Sequence, residues 1–220
     1  MYNLVIKDLK LGINRMFFVF PALLGLLMLI PSWIYFLVPM YFYWITVPNM
    51  FNNFKTQNDM MFTSMMPVTK KDMVKARVAV IVILEILHIG FAAIFGVIHD
   101  LVYANLNIGY QFFAPSMGFW GLCLVMMAIF NIILIPMYYK TAYKFSVPLI
   151  LATAAAMIYA GIVQWVGIEN KSMSDIFNVT IAEHIGLHAS ILAAGIVLFA
   201  AFTLTAYRIA VQRFLKVELL

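Results

Sequence analysis

Residues 16–54 read MFFVFPALLGLLMLIPSWIYFLVPMYFYWITVPNMFNNF and contain no charged side chain. A helix needs about 20 mostly apolar residues to cross the hydrocarbon core of a bilayer, so this stretch is long enough for two crossings. Proline cannot continue the hydrogen-bond ladder of a helix, and Pro31-Ser32 is therefore the expected turn between them. The stretch predicts a pair of membrane-spanning helices.

The rest of the chain has the same apolar character. Of the 220 residues, 65% are hydrophobic and 10% are charged, and the mean hydropathy is +0.98. Soluble domains are roughly 45–50% apolar and about 25% charged, so lipid must solvate most of this surface. We predict an all-α membrane protein with six transmembrane helices. The predicted spans are 16–31, 33–51, 77–99, 117–139, 145–167 and 185–207.

Lysine and arginine predict the orientation of these spans. Thirteen of the fourteen fall in four segments of the chain. These four segments lie on the same side of the membrane only if the chain crosses it six times. The thirteen residues are Lys7, Lys10 and Arg15; Lys55, Lys70, Lys71, Lys75 and Arg77; Lys140 and Lys144; and Arg208, Arg213 and Lys216. Because short loops rich in these residues stay in the cytoplasm, we expect a multi-pass plasma-membrane protein with both termini cytoplasmic. The formal charge of +5 then reflects contact with anionic lipid, not binding of nucleic acid.

The N-terminal segment predicts a helix that lies along the membrane surface. Its apolar residues fall on one helical face and its lysines elsewhere, a pattern typical of interfacial helices. The predicted apolar face consists of Tyr2, Val5, Ile6, Leu9 and Ile13. We expect one transmembrane domain over 1–220, with the interfacial helix at 1–15, a cytoplasmic segment at 52–76 and an extracellular connection at 168–184.

Motifs of catalysis and cofactor binding are missing from the sequence. It has no Walker loop (G-x-x-x-x-G-K-[ST]), no Gly-rich dinucleotide motif and no GxSxG elbow. His184 and His188 are four residues apart, but no third strong metal ligand is evident nearby, and a polar cluster at the membrane interface is the expected alternative. We therefore predict no enzyme activity and no catalytic, cofactor-binding or metal site in this chain.

The stretch NNFKTQNDMMFTSMMPVTKKDMVKAR, residues 52–77, is the most informative for function. Residues 59–66 can form a short helix at the cytoplasmic surface. Thr69, followed three residues later by Asp72, resembles a capping box that would start a helix running into the third span. Exposed methionines beside basic residues suit a protein partner, and a lipid-facing surface loop is the alternative.

This stretch resembles the motif Leu-Pro-Val-Ser-Arg-x-Asp/Glu-Ile-Val-x-x-Lys of ABC-2 type transporter permeases. Met66 replaces the usual leucine, and the residues that match in kind or order are Pro67, Val68, Thr69, Lys71, Asp72, Val74 and Arg77. The six predicted spans, the N-terminal interfacial helix and the basic C-terminus are also similar to that family. Within it, the size of the chain is most similar to the permeases of phenol-soluble modulin exporters.

The resemblance implies that the chain is the membrane subunit of an ATP-binding-cassette exporter. Two permease copies or homologues would pair with two separate ATPase subunits, which bind ATP and magnesium, and ATP-driven alternating access would move an amphipathic peptide or a lipid-like substrate. The segment after the second span would be a coupling helix that docks on the ATPase. The implied coupling residues are Asp59, Met60, Met61, Phe62, Met65, Pro67, Val68, Thr69, Lys70, Lys71 and Asp72.

Four of the polar side chains inside the predicted spans are candidates for a substrate path or a polar pair: Glu85, His88, Asn131 and Gln164. Ionisable groups at membrane depth are costly and are functional candidates. Glu85 and His88 are three residues apart on one helical face, where they can hydrogen-bond to each other or line a substrate path. Two other functions remain open: a proton-coupled secondary transporter that uses this pair, and a sensor or assembly protein that transports nothing.

Overall fold

A computed structural model describes residues 2–14, 16–103, 113–141, 144–177 and 184–217. Within these ranges the chain is helical and forms no strand. The α-helices are α1 (Tyr2–Gly12), α2 (Met16–Gly25), α3 (Leu37–Tyr41), α4 (Val47–Thr56), α5 (Asp59–Ser64), α6 (Lys70–Tyr103), α7 (Met117–Thr141), α8 (Ser146–Glu169), α9 (Lys171–Phe177) and α10 (Ile185–Leu215). A 3₁₀ turn, Leu26–Leu29, extends α2, and a π-helical turn, Phe42–Thr46, joins α3 to α4.

Helices α6, α7, α8 and α10 are each long and apolar enough to cross a membrane. They coincide with the third to sixth predicted spans, so the prediction of an all-α, multi-pass membrane protein is confirmed. Met16–Leu29 is a shorter apolar helix at the place of the first predicted span. The count of six spans and their orientation stay predictions.

The predicted turn at Pro31-Ser32 lies between two helical segments. The preceding helical segment ends at Leu29, where Ile30 is already extended, and Ser32 adopts a left-handed backbone conformation with φ of 55°. The next helix begins at Leu37, four residues later than predicted, and its first turn contains Pro39. Proline is tolerated in the first turn of a helix because the amide it lacks would have no partner there.

Helices extend from both sides into the segment 52–76, whose place in the cytoplasm stays a prediction. Helix α4 continues to Thr56 because Phe51 and Phe54 remain buried against the rest of the protein. Helix α6 begins at Lys70, where Thr69 caps it. At 1.5 Å per residue, its 34 residues extend about 51 Å, which exceeds the roughly 30 Å thickness of the hydrocarbon core.

Helix α7 lies at the centre of the bundle. In its most apolar stretch 67% of the residues are buried, against 11% in α10, which therefore presents most of its surface outward. The two helices pack closely along their length. They can do so because glycines meet at the contact: a Cβ atom on Gly195 would lie 2.7 Å from the Cα of Gly121.

Gly195→Ala should lower the free energy of unfolding by about 1–3 kcal/mol, because the new methyl group meets backbone that cannot move aside. Gly161→Ala is the matched control, since nothing lies within 4 Å of its added Cβ, and alanine in mid-helix is favoured over glycine by about 0.5–1 kcal/mol. Thermal unfolding in detergent should therefore shift in opposite directions for the two variants. A shift in the same direction would contradict the close contact of α7 and α10.

His188 stabilises the end of the bundle where α10 begins. Its Nδ1 lies 3.3 Å from Ser116 Oγ and its Nε2 lies 3.1 Å from the Ile176 carbonyl oxygen. His184, by contrast, is exposed at the N-terminus of α10. No group of three His, Cys, Asp or Glu side chains among the described residues is arranged to hold a metal.

Candidate functional site

The short helix α5 begins after a sharp change of chain direction. Asn58, which precedes it, has a φ of 47° in the left-handed region, and asparagine is among the few residues other than glycine that adopt this conformation readily. The amide of Phe62 donates to the Asn58 carbonyl oxygen at 3.0 Å. The turn places α5 between α1 and the start of α6.

The two faces of α5 differ sharply in exposure. Asp59, Met60 and Thr63 are buried, with at most 9% of each side chain accessible. Met61, Phe62 and the following Met65 share the opposite face and are 46%, 58% and 71% exposed. Positions three and four apart on a helix are neighbours, so these three side chains form one apolar patch, the α5 patch.

Four charged side chains hold the inner face of α5 to α1 and α6. We call Lys7, Asp8, Asp59 and Arg77 the charge cluster. Lys7 donates a hydrogen bond to Asp59 and another to Thr63 Oγ1 at 2.7 Å, and its Nζ lies 3.0 Å from Asp8 Oδ1. Arg77 donates from Nε to Asp8 Oδ2 at 2.7 Å and from Nη2 to Asp59 Oδ2 at 2.5 Å. Three helices are thereby joined through their charges.

The charge cluster is neutral as a whole and largely shielded from solvent. Burial alone would raise the pKa of Asp59, but the positive charges of Arg77 and Lys7 and their hydrogen bonds outweigh this, and the pKa of Asp59 is lowered. This carboxyl is therefore ionised at neutral pH. Arg77 also stacks 3.2 Å above the centre of the Phe54 ring, a cation–π contact that adds α4 to the assembly.

The contact of α1 with the rest of the protein is made largely by residues outside the predicted apolar face. Leu4, Asp8 and Gly12, spaced by four residues, are buried, and so is Ile13 of the predicted face, whereas Val5, Ile6 and Leu9 of that face are only half-buried and Tyr2 is exposed. The inward face is chosen by the ion pairs of Asp8 and by the close contact of Gly12 with the Phe54 ring. Val5, Ile6 and Leu9 retain accessible surface that can meet lipid.

The residues between α5 and α6 make the predicted cap. The Asp72 amide donates to Thr69 Oγ1 at 3.1 Å, and the Thr69 hydroxyl donates to Asp72 Oδ2 at 2.6 Å. In a standard capping box the acid reaches the backbone amide of the cap residue; here it accepts from the hydroxyl instead. The side chains of Thr69 and Asp72 thus both take part in the N-terminal cap of α6.

The remaining predicted coupling residues differ in what they contact. Lys70 donates to the Val217 carbonyl oxygen at 2.7 Å and lies 5.6 Å from the centre of the Phe214 ring, so it attaches α6 to the C-terminal end of α10. Lys71 and Pro67 are exposed, and Val68 is half-buried. Of the predicted charges here, Lys71 is therefore the one most open to a partner. The coupling role of the whole set stays a prediction.

Three of the four polar candidates inside the predicted spans, Glu85, Asn131 and His88, fall into two separate hydrogen-bonded groups. Asn131 on α7 donates to Glu85 Oε2 at 2.9 Å and to Thr203 Oγ1 on α10 at 3.2 Å. His88 lies instead 3.2 Å from Thr46 Oγ1 and 2.8 Å from the Leu84 carbonyl oxygen. Each of the two ionisable residues thus has its own partners. Gln164 is half-buried on α8 and belongs to neither group.

Lys7 and Asp8 are functional candidates that sequence reasoning did not single out, and Arg77 was noted there as a cytoplasmic charge and a match to the family motif. Their ion-pair partners are distant in the chain: Lys7 and Asp59 are 52 positions apart, and Asp8 and Arg77 are 69 positions apart. The available signal was an aspartate on a face shared with Leu4 and Gly12 at four-residue spacing. A charge aligned with an apolar or small residue on a helix face suggests a buried ion pair.

A family model described as "ABC-2 family transporter protein" matches residues 3–214. The matched range includes α1, α5, the charge cluster and the four long apolar helices. No curated protein and no solved structure matches the chain.

Proposed function

The chain belongs to the ABC-2 family of transporter proteins, and from that membership we propose that it is the permease of an ATP-binding-cassette exporter that docks on its ATPase through α5. A permease of this family is a membrane transport subunit, not itself the enzyme, and works with an ATP-binding subunit. ATP and magnesium would be bound by that partner. The stoichiometry, two permeases with two ATPases, is also part of the proposal.

The α5 patch is the observation that carries the docking role. Apolar side chains that remain exposed on a short helix outside the long apolar helices are candidates for a protein interface. Methionine adapts its shape to a partner surface, and a central aromatic residue such as Phe62 is a common source of binding energy. Lys71 is exposed nearby in sequence and can add a charge contact at the rim.

The charge cluster connects α5 to α1 and α6, and in this proposal it transmits motion from the docked subunit to the spans. A force on α5 reaches α6 through Asp59 and Arg77 and reaches α1 through Lys7. Helix α6 extends from this cluster into the membrane, so a shift at its cytoplasmic end changes the packing of the spans. Such a shift tips the bundle between two states only if the contacts differ in free energy between them.

The proposed substrate is an amphipathic peptide or a lipid-like molecule, as the resemblance to phenol-soluble modulin exporters implies. Large parts of α8 and α10 are exposed and apolar in the single chain. A second permease facing such surfaces would enclose an apolar path suited to this class of substrate. A proton-driven transporter is not favoured, because Glu85 and His88 have separate hydrogen-bond partners.

Purification of the protein from its native membrane in mild detergent tests the proposal. We expect a second chain that carries a Walker loop to accompany it, and the reconstituted pair to move an amphipathic peptide only when ATP is supplied. Transport that proceeds without ATP and follows a proton gradient would contradict the proposal. A pure permease that transports nothing with or without the ATPase would favour the sensor function.

A further inference from the structure

A buried hydrogen-bonded group links three of the long helices inside the membrane. Glu85 on α6 and Asn131 on α7 are completely buried, and Thr203 on α10 is 7% exposed. The side-chain amide of Asn131 uses both of its N–H groups, one toward Glu85 Oε2 and one toward Thr203 Oγ1. Asn131 is therefore the centre of the group.

Two oxygen atoms of this group lack a donor. Glu85 Oε1 and Asn131 Oδ1 are buried and have no hydrogen-bond partner among the described residues. An ionised carboxylate and an amide oxygen can only accept, so ionised glutamate would leave both acceptors unsatisfied. Buried polar groups are nearly always paired, and one added donor between these two side chains would satisfy both atoms.

No described residue forms an ion pair that would bring a positive charge to Glu85. Tyr43, from the π-helical turn, is a buried titratable neighbour of Glu85, and Cys123, from α7, is a buried neighbour of Tyr43. His88, one turn along α6, is occupied by Thr46 and the Leu84 carbonyl. A bare carboxylate at this depth would be costly.

We propose that Glu85 is the site of a resident proton, carried on Oε1 and donated to Oδ1 of Asn131. The carboxylic acid and the amide then form a reciprocal pair: Asn131 Nδ2 donates to Oε2, and Glu85 Oε1 donates to Oδ1. One proton is taken up from the aqueous phase and no other bond changes. A metal cation fits less well, because the part of the chain that the structure describes offers only three unpaired buried oxygens in this region, Glu85 Oε1, Asn131 Oδ1 and the Tyr43 hydroxyl.

The acid–amide pair stabilises the packing of α6 against α7 and α10 without placing a charge in the membrane. Its proton stays bound, in contrast to the proton of a proton-driven transporter, which must leave in each cycle. This inference does not rest on the proposed function, because it concerns the protonation of one side chain in the purified chain.

Infrared spectroscopy of the full-length protein in an ester-free detergent tests the proposal. At pH 7, where an ordinary glutamate with a pKa of about 4.3 is ionised, we expect the carbonyl stretching band of a protonated carboxylic acid. The band should disappear in Glu85→Gln and persist in Asp100→Asn, which removes another acidic side chain of α6. Glu85→Gln should also keep the thermal midpoint, since glutamine can make both hydrogen bonds.

The opposite results would overturn the proposal. Absence of the band in the wild-type protein at pH 7 would show that Glu85 is ionised, and this measurement needs no variant to fold. A band that remains in Glu85→Gln would assign the proton to another group. Stabilisation of the wild-type protein, but not of Glu85→Gln, by sodium or potassium chloride at constant ionic strength would show a cation site instead.

Discussion

Arg77→Met is expected to lower the free energy of unfolding by about 3–5 kcal/mol, because it leaves two buried carboxylates with a single cation. Removal of one partner from a buried ion pair typically costs this much. Arg77 holds both Asp8 and Asp59, and its side chain is 7% exposed. Thermal or chemical unfolding in detergent measures the loss, and faster proteolysis of α1 and α5 would locate it.

Lys75→Met is the matched control, since Lys75 is exposed two residues earlier on the same helix. Its effect should stay within about 0.5 kcal/mol, as is usual for surface substitutions. A further variant that combines Arg77→Met with Asp8→Asn and Asp59→Asn removes the charges whose repulsion causes the loss, and it should recover part of the stability. Equal stability of the Arg77 and Lys75 variants would refute the charge cluster as the connection between α1, α5 and α6.

Phe62→Ser combined with Met65→Ser is expected to weaken binding of the ATP-binding subunit by about 30-fold or more. A single central interface residue commonly contributes about 2 kcal/mol, which corresponds to this factor. Because both side chains are exposed, the free energy of unfolding of the permease should change little. A binding titration between the purified subunits in detergent gives the affinity, and stimulation of ATP hydrolysis gives the functional consequence.

Tyr2→Ser serves as the control for the α5 patch. Tyr2 is a large side chain that is 76% exposed on α1, outside the patch. Its loss should leave the affinity unchanged. If the Phe62 and Met65 variant binds as tightly as wild type, the α5 patch is not the docking surface. If the Phe62 and Met65 variant unfolds at a lower temperature than wild type, these side chains are needed for folding and the assignment of the patch as a docking surface fails.

Local patterns in the sequence were sufficient to predict several elements correctly. The long apolar runs predicted α6, α7, α8 and α10, because the length of a helix that crosses a bilayer is fixed by the thickness of the hydrocarbon core. Thr69 and Asp72 predicted the start of a helix, because a cap involves only residues three apart. These interactions are complete within a few residues and need no knowledge of the rest of the fold.

Other features depended on residues that are remote in sequence. The sequence suggested that Asp59 was a charge for a partner to contact, and that Glu85 and His88 could pair with each other. In the structure Asp59 is buried between Lys7 and Arg77, and Glu85 accepts from Asn131. Spacing along one helix shows which side chains share a face, but not which neighbouring helix brings the better donor to that face.

By itself, then, the sequence determined the class of protein, the positions of its long helices and the cap that starts α6. Only the tertiary structure decided which face of α1 turns inward, which side of α5 remains open to a partner and which groups pair around Glu85. The physical reason is range: helix formation and membrane insertion depend on contiguous residues, whereas buried charges and amides are satisfied by whichever partners the packing of distant helices brings together.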